Sequence, residues 1–343
     1  MSSRDGFGDS EKGAALVLGG SGVVGSYLTR ELAQQGFDVT AADISEPFGL
    51  HRSLIADAPG AVIEQIDIGE GGALDDLLGR VRPRVVYNLV AAMQAQIDRS
   101  ILDGVWVTVD LCGKVLDATL RHDVPLVVTM SSRAVYGPPV RERPDDVVVC
   151  RAMERASPVS SYGKMKHLLE AMVEWYWRKS SGRYCAVRTA IQWGLRDVRP
   201  GVRMFSLHNT VLETALRGER FEIGTRGEGP SDLISYLDLA RGLTSASSAE
   251  RFSVPVYNVG SGRTYRIEDL VVALADATGW DNFNVDPQTP FDRSLVSPTG
   301  LFYVLDIQET MVDWHWFPGR DLVGDAKEFA RIWSGQQNHA GVG

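Results

Sequence analysis

Cysteine is scarce in this chain: Cys112, Cys150 and Cys185 are the only three among 343 residues, widely spaced and without a CxxC pair or a Cys/His cluster. That excludes a disulfide framework and a structural zinc site, and it suits a reducing cytoplasm. Long apolar runs are lacking too. No stretch reaches the roughly 18 consecutive apolar residues of a membrane span, and the opening MSSRDGFGDSEK has no apolar segment of a signal peptide. Residues 1–12 read as a disordered tail. Positive charge is in deficit, with a formal net charge of −9. This argues against a nucleic-acid or anionic-membrane surface, which needs clustered Lys and Arg. An anionic small molecule stays compatible, since a few local arginines suffice. Internal repeats and low-complexity linkers are absent. What remains is a soluble cytoplasmic protein.

What is present is an alternation of short apolar runs with amphipathic stretches, the pattern of βαβ units in a parallel sheet. AALVL (14–18), FDVTAAD (37–43), AVIEQID (61–67), RVVYNLV (84–90), PLVVTM (125–130) and YCAVR (184–188) read as six strands, and VPVYNVG (254–260) as a return to the sheet. Val24, Leu28 and Leu32 recur at helical spacing, and Gly36 ends that helix. Further helices are expected over 103–122, 161–179 and IEDLVVALADAT. The 161–179 helix is apolar on two sides, with Met165, Leu168, Leu169, Met172, Val173, Trp175 and Tyr176. One side would cover the sheet, and the other would pack on a second subunit or within one large domain. The expected architecture is α/β, a doubly wound parallel sheet with a smaller C-terminal substrate-binding lobe. The nucleotide-binding part spans 13–190 and regains 233–262; the lobe comprises 191–232 and 263–335.

LVLGGSGVVGS places Gly19, Gly22 and Gly25 between the first strand and the first helix. Glycine there permits a tight turn, close approach of backbone to a pyrophosphate, and close helix–strand packing. The helix N-terminus then favours the diphosphate. Asp43 ends the second strand 18 residues after Gly25; a carboxylate there binds the ribose hydroxyls of NAD and repels the 2′-phosphate of NADP. Asp67, with its neighbour Ile68, is a candidate for the adenine side, and a turn role for Asp67 is nearly as good.

SSYGKMK puts Tyr162 and Lys166 four residues apart on one helix face. An ammonium beside a phenol stabilises the phenolate, so Tyr162 can take a proton from a secondary alcohol or return it. Lys166 is also placed to hold the nicotinamide ribose. A serine of SSRAVYG, at the end of the fifth strand, faces the crevice where doubly wound sheets bind ligands. The alternative reading of that stretch is a plain turn.

With these residues in hand, the chain resembles the extended short-chain dehydrogenase/reductases, the NAD-dependent epimerases and dehydratases that mostly act on nucleotide sugars. The resemblance rests on LVLGGSGVVGS, PRVVYNLVAA, VVTMSSRAVYG, SPVSSYGKMKHLLE, SDLISYLDLA and VYNVGSG, and spans nearly the whole chain. It implies a Rossmann domain, bound NAD, a homodimer, and Ser132, Tyr162 and Lys166 as the catalytic set, with Gly19, Gly22, Gly25 and Asp43 on the cofactor. Four positions depart from the family pattern. Arg133 and Ala134 stand where dehydratases carry an Asp-Glu pair, so loss of water is disfavoured. Ile191 replaces an asparagine and Ser231 an arginine that touch the substrate phosphates, and Asp110 replaces another asparagine. Arg293 does match a second diphosphate arginine. Candidate substrate residues are Arg133, Gln94 and Arg293; Arg133, Arg196, Arg199 and Arg203 are candidates for a carboxylate or phosphate site, with a solvated surface arginine as the alternative for each. The expected activity is epimerisation of a sugar nucleotide or sugar-like substrate. The alternative is net NAD-dependent dehydrogenation of a small hydroxy compound, and a non-catalytic dinucleotide sensor conflicts with the intact Ser/Tyr/Lys set.

Overall fold

Four- to six-residue runs too short for helices pair instead, and seven of them build one sheet. In the computed structural model, which describes residues 12–143, 145–197, 207–296, 301–319 and 321–340, these are β1 (Ala14–Leu18), β2 (Asp38–Asp43), β3 (Ala61–Gln65), β4 (Val85–Asn88), β5 (Leu126–Met130), β6 (Tyr184–Thr189) and β7 (Val256–Val259). The tail read at 1–12 lies, Lys12 apart, outside the described residues, as do Arg199 and Arg203. The order across the sheet is β7-β6-β5-β4-β1-β2-β3, parallel throughout. Strand order reverses at β1, which pairs with β2 on one side and β4 on the other. The crevice beyond the carboxyl ends of β1 and β4 is therefore the place for a ligand.

β1, β4 and β7 are buried along their length but for the first residue of β1, whereas no residue of the edge strand β3 is fully buried. This is why the central strands read as unbroken apolar runs. One face of the sheet is covered by α1 (Val23–Gln34) through Leu28 and Leu32 and by the helix Tyr236–Ser245 through Leu239 and Leu243. The other is covered by α2 (Leu111–Arg121) through Val115 and Leu116 and by α3 (Ser161–Lys179) through Leu169 and Val173. Ser160 caps α3 by accepting from Gly163 N at 3.0 Å, and Arg178 and Lys179 sit at its negative end. The helix expected over 103–122 begins earlier: short helices Gln94–Arg99 and Ile101–Val105 lead into a π-helical turn, Trp106–Asp110, before α2. Gly104 lets this segment lie against α3, since a Cβ there would meet Met165 Cε at 3.1 Å.

A separate apolar core, with Trp193, Leu212, Leu270, Trp280 and Phe329, holds a small parallel pair, Phe221–Arg226 with Phe283–Pro290, against the helices Leu207–Leu216, Ile267–Thr278 and Leu322–Ala340. Two short parallel pairs link it to the sheet side: Ile191–Trp193 with Leu233–Ser235, and Val148–Cys150 with Tyr303–Leu305. Tyr303, Leu305, Trp314 and Trp316 pack with Val187 and Tyr257 of the sheet. Among the described residues, no helix is long and apolar enough to cross a membrane.

Candidate active site

The chain leaves β1 through Gly19, at φ +81°, a backbone conformation that L side chains rarely adopt. Gly25 is required for a different reason. A Cβ there would stand 2.2 Å from Gly19 O, so only glycine lets α1 close on the loop. Asp43, at the tip of β2, accepts from Ser21 N (3.2 Å) and Ser45 N (3.1 Å), which fixes its carboxylate beside the glycine turn. A cleft of about 450 Å³ opens here, lined by Gly19, Gly22, Asp43, Asp67, Ile68 and Trp106 among others. The two readings of Asp67 coexist, because it accepts from Gly69 N at 2.8 Å within its turn while its side lines the cleft. Trp106, offered by the π-helical turn, is a wall residue that the sequence pattern did not single out. A side-chain-free cradle, a carboxylate at the end of β2 and an apolar slot of this size fit the pyrophosphate, ribose and adenine of NAD.

Ser132 follows β5 and caps the 3₁₀ turn Arg133–Val135, its Oγ accepting from Ala134 N at 3.2 Å. It is thus a turn residue, and it also lies beside Tyr162, where its hydroxyl works to lower the phenol pKa. Gly163 makes this possible. A Cβ there would lie 2.5 Å from Ala134 O, so glycine allows the first turn of α3 to approach the Ser132 turn. Burial raises the Tyr162 pKa, while the Ser132 hydrogen bond and the Arg133 charge work to lower it. Lys166 is buried, with Nζ donating to Met130 O at 2.6 Å and lying 5.8 Å from the centre of the Tyr162 ring. Burial lowers its pKa to about 8, opposed by Cys112 and Glu170. Two of its three N–H donors remain for a ligand. The phenol is therefore held between a hydroxyl and cationic groups, at the mouth of the crevice, where it can exchange a proton with a bound alcohol.

Arg133 points into the same region. Its guanidinium carbon lies 5.1 Å from the centre of the Tyr303 ring. Its charge acts on Tyr162 and on His208, whose pKa is lowered to about 4 by burial first and Arg133 second. His208 and Tyr303 thus join the site from the second core and its connection, which no local motif marks. Gln94 braces the helix start, accepting from Tyr162 N at 3.3 Å and reaching Ser161 Oγ at 3.4 Å. Arg293 stands apart: it is exposed, donates to Gly227 O at 3.3 Å, and no hydrogen bond or ion pair among the described residues joins it to Ser132 or Tyr162. Arg196 lies beside Tyr236. Of the departures from the family pattern, Ser231 pairs through its backbone with Tyr265 at 2.8 and 2.9 Å. Ile191 lies in its short strand beside Leu233, and Asp110 pairs with Lys114 at 3.3 Å. Beside Ser231, buried Asp232 accepts from Ser261 N (2.8 Å) and Leu305 N (3.0 Å); burial raises its pKa to about 6.

A profile of the NAD dependent epimerase/dehydratase family matches residues 15–260. The chain is 25% identical to a probable UDP-arabinose 4-epimerase 3 of Arabidopsis thaliana, over 90% of this chain and 82% of that protein. It is 26% identical to the UDP-glucose 4-epimerase of Homo sapiens, over 77% of this chain and 82% of the other. Its fold superposes, with a TM-score of 0.76 at 20% identity, on a UDP-N-acetylglucosamine 4-epimerase from Methanobrevibacter ruminantium M1, covering 96% of this chain and 100% of that one. Glycine loop, Asp43, and the Ser132–Tyr162–Lys166 cluster all fall within the matched span, and the chain belongs to the NAD dependent epimerase/dehydratase family.

Proposed function

We propose that this chain is an NAD-dependent epimerase that transiently oxidises a secondary alcohol of a sugar nucleotide and restores it with inverted configuration. The observation that carries this is Tyr162 placed beside the Ser132 hydroxyl and Lys166, at the carboxyl ends of strands that also present the glycine turn and Asp43. NAD, when bound, supplies the acceptor and donor of hydride. Tyr162 takes the alcohol proton and returns it; Ser132 holds the substrate oxygen; Lys166 keeps the phenolate accessible and grips the ribose through its unused donors. Asp43 selects NAD through the ribose hydroxyls, with Asp67 and Ile68 on the adenine side. Arg133 contacts an anionic part of the substrate, Gln94 the reacting end and Arg293 the diphosphate from the lobe, which comprises 191–232 and 263–335 and closes on 13–190. Arg133 and Ala134 cannot act as the paired carboxylates that removal of water needs, which favours epimerisation within the family.

The relatives act on UDP-arabinose and UDP-glucose by their names, and UDP-sugars are the substrates to try first. The decisive handling is simple. Purified protein is denatured and the released nucleotide identified, while native protein is incubated with UDP-sugars and followed at the NADH absorbance band. Co-purifying NAD with no net NADH supports epimerisation; steady NADH accumulation with a small hydroxy compound supports the dehydrogenase reading instead. A homodimer fits the remaining surface, because Leu168 and Trp175 of α3 and Ile101, Leu102 and Val105 of the neighbouring helix are exposed. Three buried free cysteines accord with a cytoplasmic setting.

A further inference from the structure

Beneath Ser132 and Tyr162 lies a buried ionic network that the proton transfer does not itself require. Arg188 grips Glu170 by two bonds, Nε to Oε1 at 2.8 Å and Nη2 to Oε2 at 2.7 Å, with both side chains almost wholly out of solvent. Arg188 also donates to Ala152 O at 3.0 Å and stacks 4.5 Å from the Tyr136 ring centre. Glu170 Oε1 accepts a further bond, from Ser131 Oγ at 2.5 Å. The half-exposed His167 brings Nδ1 to 3.7 Å from Oε2. For stability alone, an apolar pair of similar volume would serve as well or better, because desolvating two charges costs several kcal/mol per ion on the order of what their attraction returns. The reason for the network therefore lies in what else it touches.

Ser131 immediately precedes Ser132. Glu170 follows Lys166 by one helical turn, on the same face of α3. Lys166 Nζ bonds to Met130 O, and Ser131 Oγ bonds to Glu170, so consecutive residues at the end of β5 are pinned to consecutive turns of α3. The next residue in each direction is the chemistry: Ser132 on the strand end, Tyr162 one turn back on the helix.

We propose that Glu170, held by Arg188, is a positioning residue for this reaction, setting Ser132 against Tyr162 through Ser131 and presenting its charge to Lys166. This rests on the epimerase reading for its reaction, not for its geometry. The Glu170 charge also opposes the burial that lowers the Lys166 pKa, together with Cys112. The groups bearing on Tyr162 are Ser132 and Arg133.

Two variants separate positioning from support. Ser131→Ala cuts the link and leaves the ion pair intact. Glu170→Leu with Arg188→Met removes both charges while keeping the volume filled. Each is assayed for kcat and KM with a UDP-sugar that the wild type epimerises. Each is also titrated in the NAD complex by tyrosinate absorbance, as a difference against the same background carrying Tyr162→Phe. The expected result is a kcat about 10-fold lower for Ser131→Ala and about 10- to 100-fold lower for the double variant, at little-changed KM and with both proteins folded. The Tyr162 transition moves to higher pH in both. Wild-type kcat and an unmoved titration in Ser131→Ala overturn the proposal, even if the double variant does not fold. Absence of epimerisation by the wild-type protein overturns the functional reading alone, since the titration needs no sugar and still decides the role of Glu170.

Discussion

At the scale of single residues, Tyr162 carries the account. Burial raises its pKa, and the groups that oppose this, the Ser132 hydroxyl and the Arg133 charge, are neighbours placed by the fold. Tyr162→Phe is expected to lower kcat by roughly 10²- to 10⁴-fold, the usual worth of a positioned acid–base, while NAD binding stays near wild type; unchanged turnover would remove Tyr162 from the chemistry. His208 offers a pH test that needs no substrate. Its folded pKa is lowered from 6.5 to about 4, so between these values the unfolded chain binds more protons and stability falls as pH drops. His208→Gln should therefore lose less melting temperature between pH 7 and pH 5 than the wild type does. Asp232, raised to about 6, acts in the opposite sense but is common to both proteins and cancels in the comparison. Parallel melting curves against pH would refute a buried neutral His208.

At the scale of elements, the joint between the Ser132 turn and the start of α3 sets the geometry. Gly163 permits that joint, since a Cβ would come within 2.5 Å of Ala134 O. Gly163→Ala should push the two apart and cost about 1–3 kcal/mol of stability, with a fall in kcat of about 100-fold if the displacement approaches an ångström. A variant with unchanged melting temperature and kcat would show that the approach is not limiting. The same scale shows what a sequence can disclose. β1, β5, β6, α1 and α3 announce themselves because unbroken apolar runs mean buried parallel strands and glycine or serine marks the helix ends. Ser132, Tyr162 and Lys166 come together because motif order encodes their positions on adjacent elements. Val148–Cys150 and Tyr303–Leu305 are illegible by contrast: three residues carry no period, and the partner lies in a distant segment. For the same reason Trp106, His208, Tyr303, Glu170 and Arg188 were not marked. Each looks like an ordinary core or surface residue until the tertiary fold brings it beside the site. Arg293 shows the converse, a position matched by motif that stands exposed and apart from Ser132.

At the scale of the whole molecule, the core on one face of the sheet and the further apolar core meet at Val24 and Ile191, and the helix Leu207–Leu216 of that further core carries His208, on which the Arg133 charge acts. On α3 and its neighbour Leu102, Leu168 and Trp175 are all exposed, and the proposed homodimer would cover them. Trp175→Glu is expected to convert a dimer to a monomer in light scattering at micromolar concentration; a wild-type chain that is already monomeric would contradict the dimer. The central claim concerns the fate of the hydrogen. The most direct measurement is proton NMR of a UDP-sugar incubated in D₂O with the purified protein and no added NAD. The account predicts that an epimer of the sugar appears to equilibrium with its carbon-bound hydrogen retained, and that no NADH accumulates. A ketone formed with stoichiometric NADH, or deuterium entering at the epimerised carbon, would contradict it.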